Sequence, residues 1–114
     1  MKNIDKIPLL PKQKQSLNDL KQKLTQKFNI ISLILFGSTA RIESDSESDI
    51  DILIVTSKKF SRYERHQITD IVFEINLKND TNLSTLVVDN DSWQNGPISV
   101  LPIRDEILRN GVVI

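Results

Sequence analysis

The chain has no cysteine, one histidine, one tryptophan and no net charge. Without cysteine, disulfides and thiolate metal sites are excluded and a reducing compartment is permitted. The 15 basic residues balance the 15 acidic ones. That balance argues against an extended nucleic-acid surface, though not against a short nucleotide contact. No apolar run approaches the ~20 residues of a membrane span. Met1-Lys2-Asn3-Ile4-Asp5 lacks a signal-peptide core, so the expectation is a soluble, cytoplasmic protein. Internal repeats and low-complexity tracts are not visible. What is there is ordinary globular composition over 114 residues, 39% hydrophobic and 26% charged, which predicts one domain over 1–114 with one core.

The charges are unevenly placed. Lys12, Lys14, Lys21, Lys23 and Lys27 have only Asp19 among them, whereas Glu43, Asp45, Glu47, Asp49 and Asp51 follow Arg41. That acidic stretch would repel a triphosphate unless a metal came with it.

Hydrophobic periodicity divides the chain into elements. Pro8 and Pro11 make residues 1–11 an extended lead-in whose Leu9-Leu10 pair packs on the body. Leu17, Leu20, Leu24 and Phe28 recur at helical spacing and predict an amphipathic helix over 12–28 with a solvated basic face. Ile30 to Phe36 is nearly all apolar and reads as a central strand covered on both faces. Asp49 to Val55 is a second strand. The short connection between the two favours antiparallel pairing, because parallel crossovers need a dozen or more residues. A helix over 58–78, with Ser57 as cap, carries the stripe Ile68, Ile71, Val72, Ile75, and Asn79-Asp80 stops it. His66 lies in a polar stretch of that helix and reads as a surface residue. Leu83 to Val88 is a third strand. In the tail, Asp91 or Ser92 caps a turn holding Trp93, and Ile98 to Arg109 is a helix interrupted near Pro102. Asn110-Gly111 ends it before the apolar Val112-Val113-Ile114. That apolar end reads as a last short strand or an intermolecular contact. With Trp93, which reads as core or interface, it makes homo-oligomerisation an open expectation.

Gly37-Ser38 closes the first strand, ten residues follow, and Asp49-Ile50-Asp51 opens the second. Alternation puts Asp49 and Asp51 on one face of the sheet. Adjacent carboxylates repel, and a divalent cation relieves them, since Mg²⁺ takes one or two carboxylates and completes its shell with substrate phosphates. Gly37 lets a triphosphate approach the backbone. Ser38 adds a hydroxyl and is expected to cap a short helix over 39–42. Arg41 either pairs with phosphate oxygens or balances Glu43 and Asp45.

Gly37-Ser38, ten residues and Asp49-x-Asp51 resemble the signature of the polymerase-β-like nucleotidyltransferases, in particular the short minimal nucleotidyltransferases. The resemblance implies an α+β fold, a mixed central sheet flanked by helices. It implies transfer of a nucleoside monophosphate from a triphosphate such as ATP to a hydroxyl, with pyrophosphate released. Asp49 and Asp51 would be the catalytic Mg²⁺ ligands, and Gly37, Ser38 and Arg41 would bind the nucleotide. The sequence departs from the pattern twice. Ile42 stands where family members commonly have glycine. The third strand carries Ser84 and Thr85 where the family's third carboxylate, metal ligand and general base, is normally found. Asp89 is the candidate third acid, but it lies roughly 16 Å from Ser84 along an extended strand, so it serves only if the strand's end faces the site. Glu74 is a weaker candidate.

Larger relatives add a domain that grips the acceptor. The resemblance implies that a partner supplies this site, a small helical HEPN protein acting as toxin. This chain would then be the antitoxin that blocks it or adds AMP to it. The alternative is a catalytically weak nucleotide- or protein-binding module that neutralises its partner by contact. A fragment of an antibiotic-modifying enzyme is a third reading, disfavoured by size.

Overall fold

The computed structural model describes residues 2–41 and 49–114. The elements run β1 (Lys2–Asn3), a 3-10 turn (Ile4–Lys6), α1 (Pro11–Lys27), β2 (Ile30–Phe36), α2 (Gly37–Ala40) and β3 (Ile50–Thr56). Then come α3 (Arg62–Asn79), β4 (Leu83–Asp89), α4 (Asn90–Asn95), a second 3-10 turn (Pro97–Val100), α5 (Pro102–Asn110) and β5 (Val112–Val113). The strands form one mixed sheet in the order β1-β5-β2-β3-β4. β2 is antiparallel to β3 and β5, while β3 is parallel to β4. This is the expected α+β architecture, with β2 at its centre.

Alternation along the strands builds two cores. Leu33, Leu35, Ile50, Ile52 and Ile54 face α1 and α3, where they meet Leu17, Leu20, Leu24, Ile68 and Ile75. Each such side chain contributes about 1.5–3 kcal/mol on burial. Ile34, Leu53, Val55 and Val88 point to the other face, under Trp93 of α4 and Ile107 of α5. Asp51 lies on this second face, because it belongs to the odd-numbered series of Leu53 and Val55, and Asp49 immediately precedes the strand.

α1 begins one residue earlier than the periodicity suggests, since Pro11 is pre-set for the first helical position. The side chain of Gln13 accepts a 2.8 Å bond from the Leu10 N–H. The lead-in is not wholly extended: it holds β1 and the first 3-10 turn, with Ile7 buried, Leu9 against the core and Leu10 exposed. α3 starts four residues later than expected. Its cap is Ser61, not Ser57. The Ser61 hydroxyl accepts from the Glu64 N–H at 3.1 Å and the Glu64 carboxylate accepts from the Ser61 N–H at 3.0 Å, a reciprocal capping box. Asp80 ends the helix in the left-handed region, at φ 55°. The first half of α1 is tied to the C-terminal end of α3 and the turn after it by a 2.7 Å Ser16–Thr81 hydroxyl contact and a 3.0 Å bond from the Asn79 amide to Asp19.

The tail closes the second face. β5 inserts between β1 and β2, and Gly111 permits it: a Cβ there would lie 2.8 Å from Ile34 Cγ2 and 2.3 Å from the Ile107 carbonyl oxygen. Trp93 is buried, with the Arg104 guanidinium 5.5 Å from its ring centroid. The two features that raised the expectation of self-association, Trp93 and the apolar end, are thus used largely within the fold, although Val113 stays half exposed.

Candidate functional site

β2 and β3 bring the predicted site residues together. Phe36 pairs with Asp51 across the antiparallel ladder, so the residue after Phe36 turns off the sheet beside the Asp51 side chain. Gly37 makes that turn at φ +77°, and a Cβ on it would stand 2.4 Å from Asp51 Oδ2. Glycine is therefore required twice, for the left-handed backbone and for the close approach. α2 opens at Gly37 with Phe36 as the flanking residue, so Ser38 lies inside the turn and is not its cap. Ser38 is half-buried. Thr39 is buried, and its hydroxyl donates a long 3.5 Å bond to the Asp49 carbonyl, joining α2 to the approach to β3.

Asp49 is exposed and Asp51 half-buried. Burial raises the pKa of Asp51 above the usual aspartate value of 3.8, and the nearby charge of Asp49 raises it further, while the charge of Arg41 opposes both. Burial and a neighbouring carboxylate both disfavour the charged form of Asp51, and a bound cation would favour it. Arg41 forms an ion pair with Glu106 of α5, both partners being partly exposed. No local sequence signal marked Glu106 as a neighbour of the site, because the contact spans 65 residues of chain. Ile42, Glu43, Asp45 and Glu47 lie outside the described residues, and with them the departure from the family's glycine.

The third acid is not brought to this pair. Parallel pairing sets Ser84 opposite Asp51 and Asp89 opposite Thr56. Five residues separate the two positions, or about 16 Å along the strand. Asp89 instead caps α4, in place of Asp91 or Ser92: its carboxylate accepts from the Ser92 N–H at 3.0 Å and from the Ser92 hydroxyl at 2.8 Å. Those bonds hold its pKa below the usual value. Glu74 is exposed on α3, on the opposite face of the sheet from Asp51. His66 is exposed on the same helix, as its polar neighbours suggest. Among the described residues no group of three or more His, Cys, Asp or Glu side chains comes together as a metal site. A cleft of about 270 Å³ between the lead-in and α1, lined by Leu9, Lys14, Leu17 and Ile114, belongs to the α1 side and not to these carboxylates. Among the described residues no helix is long and apolar enough to cross a membrane.

Residues 18–114 match the family described as polymerase beta, nucleotidyltransferase. Two curated relatives come from Methanocaldococcus jannaschii, each named as a candidate protein adenylyltransferase. One is 38% identical over 64% of this chain and 52% of its own length; the other is 34% identical over 65% and 73%. The matched stretch therefore spans only about half of the first relative. Two solved structures share the fold. A chain from a toxin–antitoxin structure with AMP-PNP has a TM-score of 0.58 at 15% identity, covering 91% of this chain and 72% of that one. A candidate nucleotidyltransferase from Sulfolobus solfataricus has a TM-score of 0.53 at 19% identity, covering 93% and 87%.

Proposed function

The chain belongs to the polymerase-β nucleotidyltransferase family, and on that premise we propose that residues 1–114 work as a single minimal domain that moves AMP from ATP to a hydroxyl of a partner protein. The partner is a small helical HEPN toxin, the compartment is the cytoplasm, and the reaction depends on Mg²⁺. The observation that carries this reading is the apposition of Gly37 to the Asp51 carboxylate, with the charge of Asp49 close enough to act on it. The names of the adenylyltransferase relatives and the toxin–antitoxin neighbour with AMP-PNP support the choice of nucleotide and partner.

Asp49 and Asp51 would hold Mg²⁺, which fits an Asp51 whose pKa is raised by burial and then by the charge of Asp49. When bound, the ion supplies charge neutralisation for the triphosphate and the α-phosphate. Gly37 lets the turn lie directly against the Asp51 carboxylate, while Ser38 would donate to the β and γ phosphates and Arg41 would lend positive charge from the end of α2. The acceptor oxygen bonds to the α-phosphorus, the bond from that phosphorus to the α–β bridging oxygen breaks, and pyrophosphate leaves. The acceptor's proton passes to water or to a base of the partner, since Ser84 stands opposite Asp51 where a carboxylate would take it.

Ser84 also favours a second reading, in which the fold binds nucleotide and silences its partner by contact alone. The two are separated with ATP labelled at the α or the γ phosphate, incubated with the HEPN partner. Transfer predicts label on the partner from α-labelled ATP only, lost in Asp51→Asn. Equal silencing by the Asp49→Asn, Asp51→Asn double variant, with no label transferred, would establish contact as the mechanism.

A further inference from the structure

β4 is an edge of the sheet, with β3 on one side and, among the described residues, no strand on the other. The edge carries none of the usual guards: Leu83-Ser84-Thr85-Leu86-Val87-Val88 holds no charge and no proline. The ladder fixes which backbone groups are free. The Ile50 N–H donates to the Asn82 carbonyl at 2.9 Å while Ile50 pairs with Leu83. In a parallel ladder this turns the N–H and C=O of Ser84, Leu86 and Val88 toward β3, and those of Leu83, Thr85 and Val87 outward. Leu83 is already satisfied: its N–H donates to the Asn76 side chain at 2.8 Å and its carbonyl accepts from it at 3.2 Å. Asp89, at the other end, is engaged in capping α4. The open edge is therefore Thr85 and Val87, with two donors and two acceptors.

We propose that this edge is the interface with a second copy of the chain, paired antiparallel about a two-fold axis through Leu86. Thr85 of each copy then faces Val87 of the other, and these hydrogen-bonded pairs use all four free groups. Leu86 meets Leu86 as a non-hydrogen-bonded pair, where cross-strand side chains come closest. That pairing covers a leucine that is 37% exposed in the single chain. Asp89 falls opposite Leu83, so no carboxylate meets another. A flank of α3 extends the same surface above the sheet. Asn76 reaches the edge from this helix, and Phe73, three residues before it on that flank, is 62% exposed. In the pair the two α3 helices run antiparallel over one continuous sheet with Phe73 between them. The two Asp51 sites lie on the same, opposite face, about 20 Å apart by strand spacing and rise.

The register gives a test that does not depend on the proposed activity. The chain lacks cysteine, so Leu86→Cys introduces one thiol per copy, placed across the axis from its twin, whereas the thiol of Ser84→Cys faces Val88 of the other copy. Light scattering should find a dimer at micromolar concentration. Mild oxidation should cross-link Leu86→Cys at least tenfold faster than Ser84→Cys. Val87→Pro, which removes an outward N–H and no β3–β4 bond, should give a folded monomer by circular dichroism and light scattering. A monomeric wild-type chain, cross-linking at equal rates, or a dimer that survives Val87→Pro would each overturn the proposal.

Discussion

Replacing Gly37 with alanine tests whether the backbone turn and the Asp51 carboxylate share one space. The new Cβ would stand 2.4 Å from Oδ2. A tolerable contact needs the carboxylate to retreat by about 0.8 Å, which swings Asp51 off its rotamer at about 0.5–1.5 kcal/mol. Holding alanine at φ +77° costs about 1–2 kcal/mol more. The expected loss of stability is therefore about 1.5–3.5 kcal/mol in the wild-type background. With Asp51→Ala only the backbone part remains, so the same substitution should cost about 1–2 kcal/mol there. Urea unfolding of the four proteins gives the coupling directly, expected at about 0.5–1.5 kcal/mol. Equal costs in both backgrounds would refute the contact and leave the left-handed backbone as the one reason for a glycine at the mouth of the site. A carboxylate displaced by that much should also lower Mg·ATP turnover on the order of 10²-fold.

Ser84→Asp places a third carboxylate in register with Asp51. Transfer of AMP should rise on the order of 10²-fold if base strength limits the wild type, and an unchanged rate would show that it does not. Asp51→Asn should behave differently with pH. Because the folded pKa of Asp51 is raised, the folded state binds more protons than the unfolded one just above pH 3.8, and wild-type stability falls as pH rises through the folded value. Asp51→Asn should therefore be the more stable protein at neutral pH, with the advantage disappearing below pH 3.8; a constant advantage across that range would contradict the shift.

The core was readable because it rests on periodicity. Leu17, Leu20, Leu24, Ile68, Ile71, Val72 and Ile75 are buried as their spacing predicts. A connection too short for a parallel crossover put Gly37-Ser38 near Asp49 at the start of the next strand, whereas the contact of Gly37 with Asp51 depends on the register that pairs Phe36 with Asp51. Caps were harder. Ser57 and Ser61 both precede helical pattern, and only the glutamate three residues on, Glu64, distinguishes Ser61. Asp89 was ambiguous because an acid at a strand's end serves equally as metal ligand or helix cap. Strand direction decides between them, and the parallel register sends Asp89 away from the site. The Arg41–Glu106 pair and the place of β5 beside β2 depend on contacts across most of the chain, for which local pattern carries no signal.

The central claim is a metal-dependent nucleotide site at the end of β2. An amide NMR titration of the wild-type chain with ATP, with and without Mg²⁺, tests it most directly. Shifts centred on Gly37, Ser38, Asp49 and Asp51 that require the metal are the predicted result. An unchanged spectrum at millimolar Mg·ATP, or shifts that are the same without Mg²⁺, would contradict it.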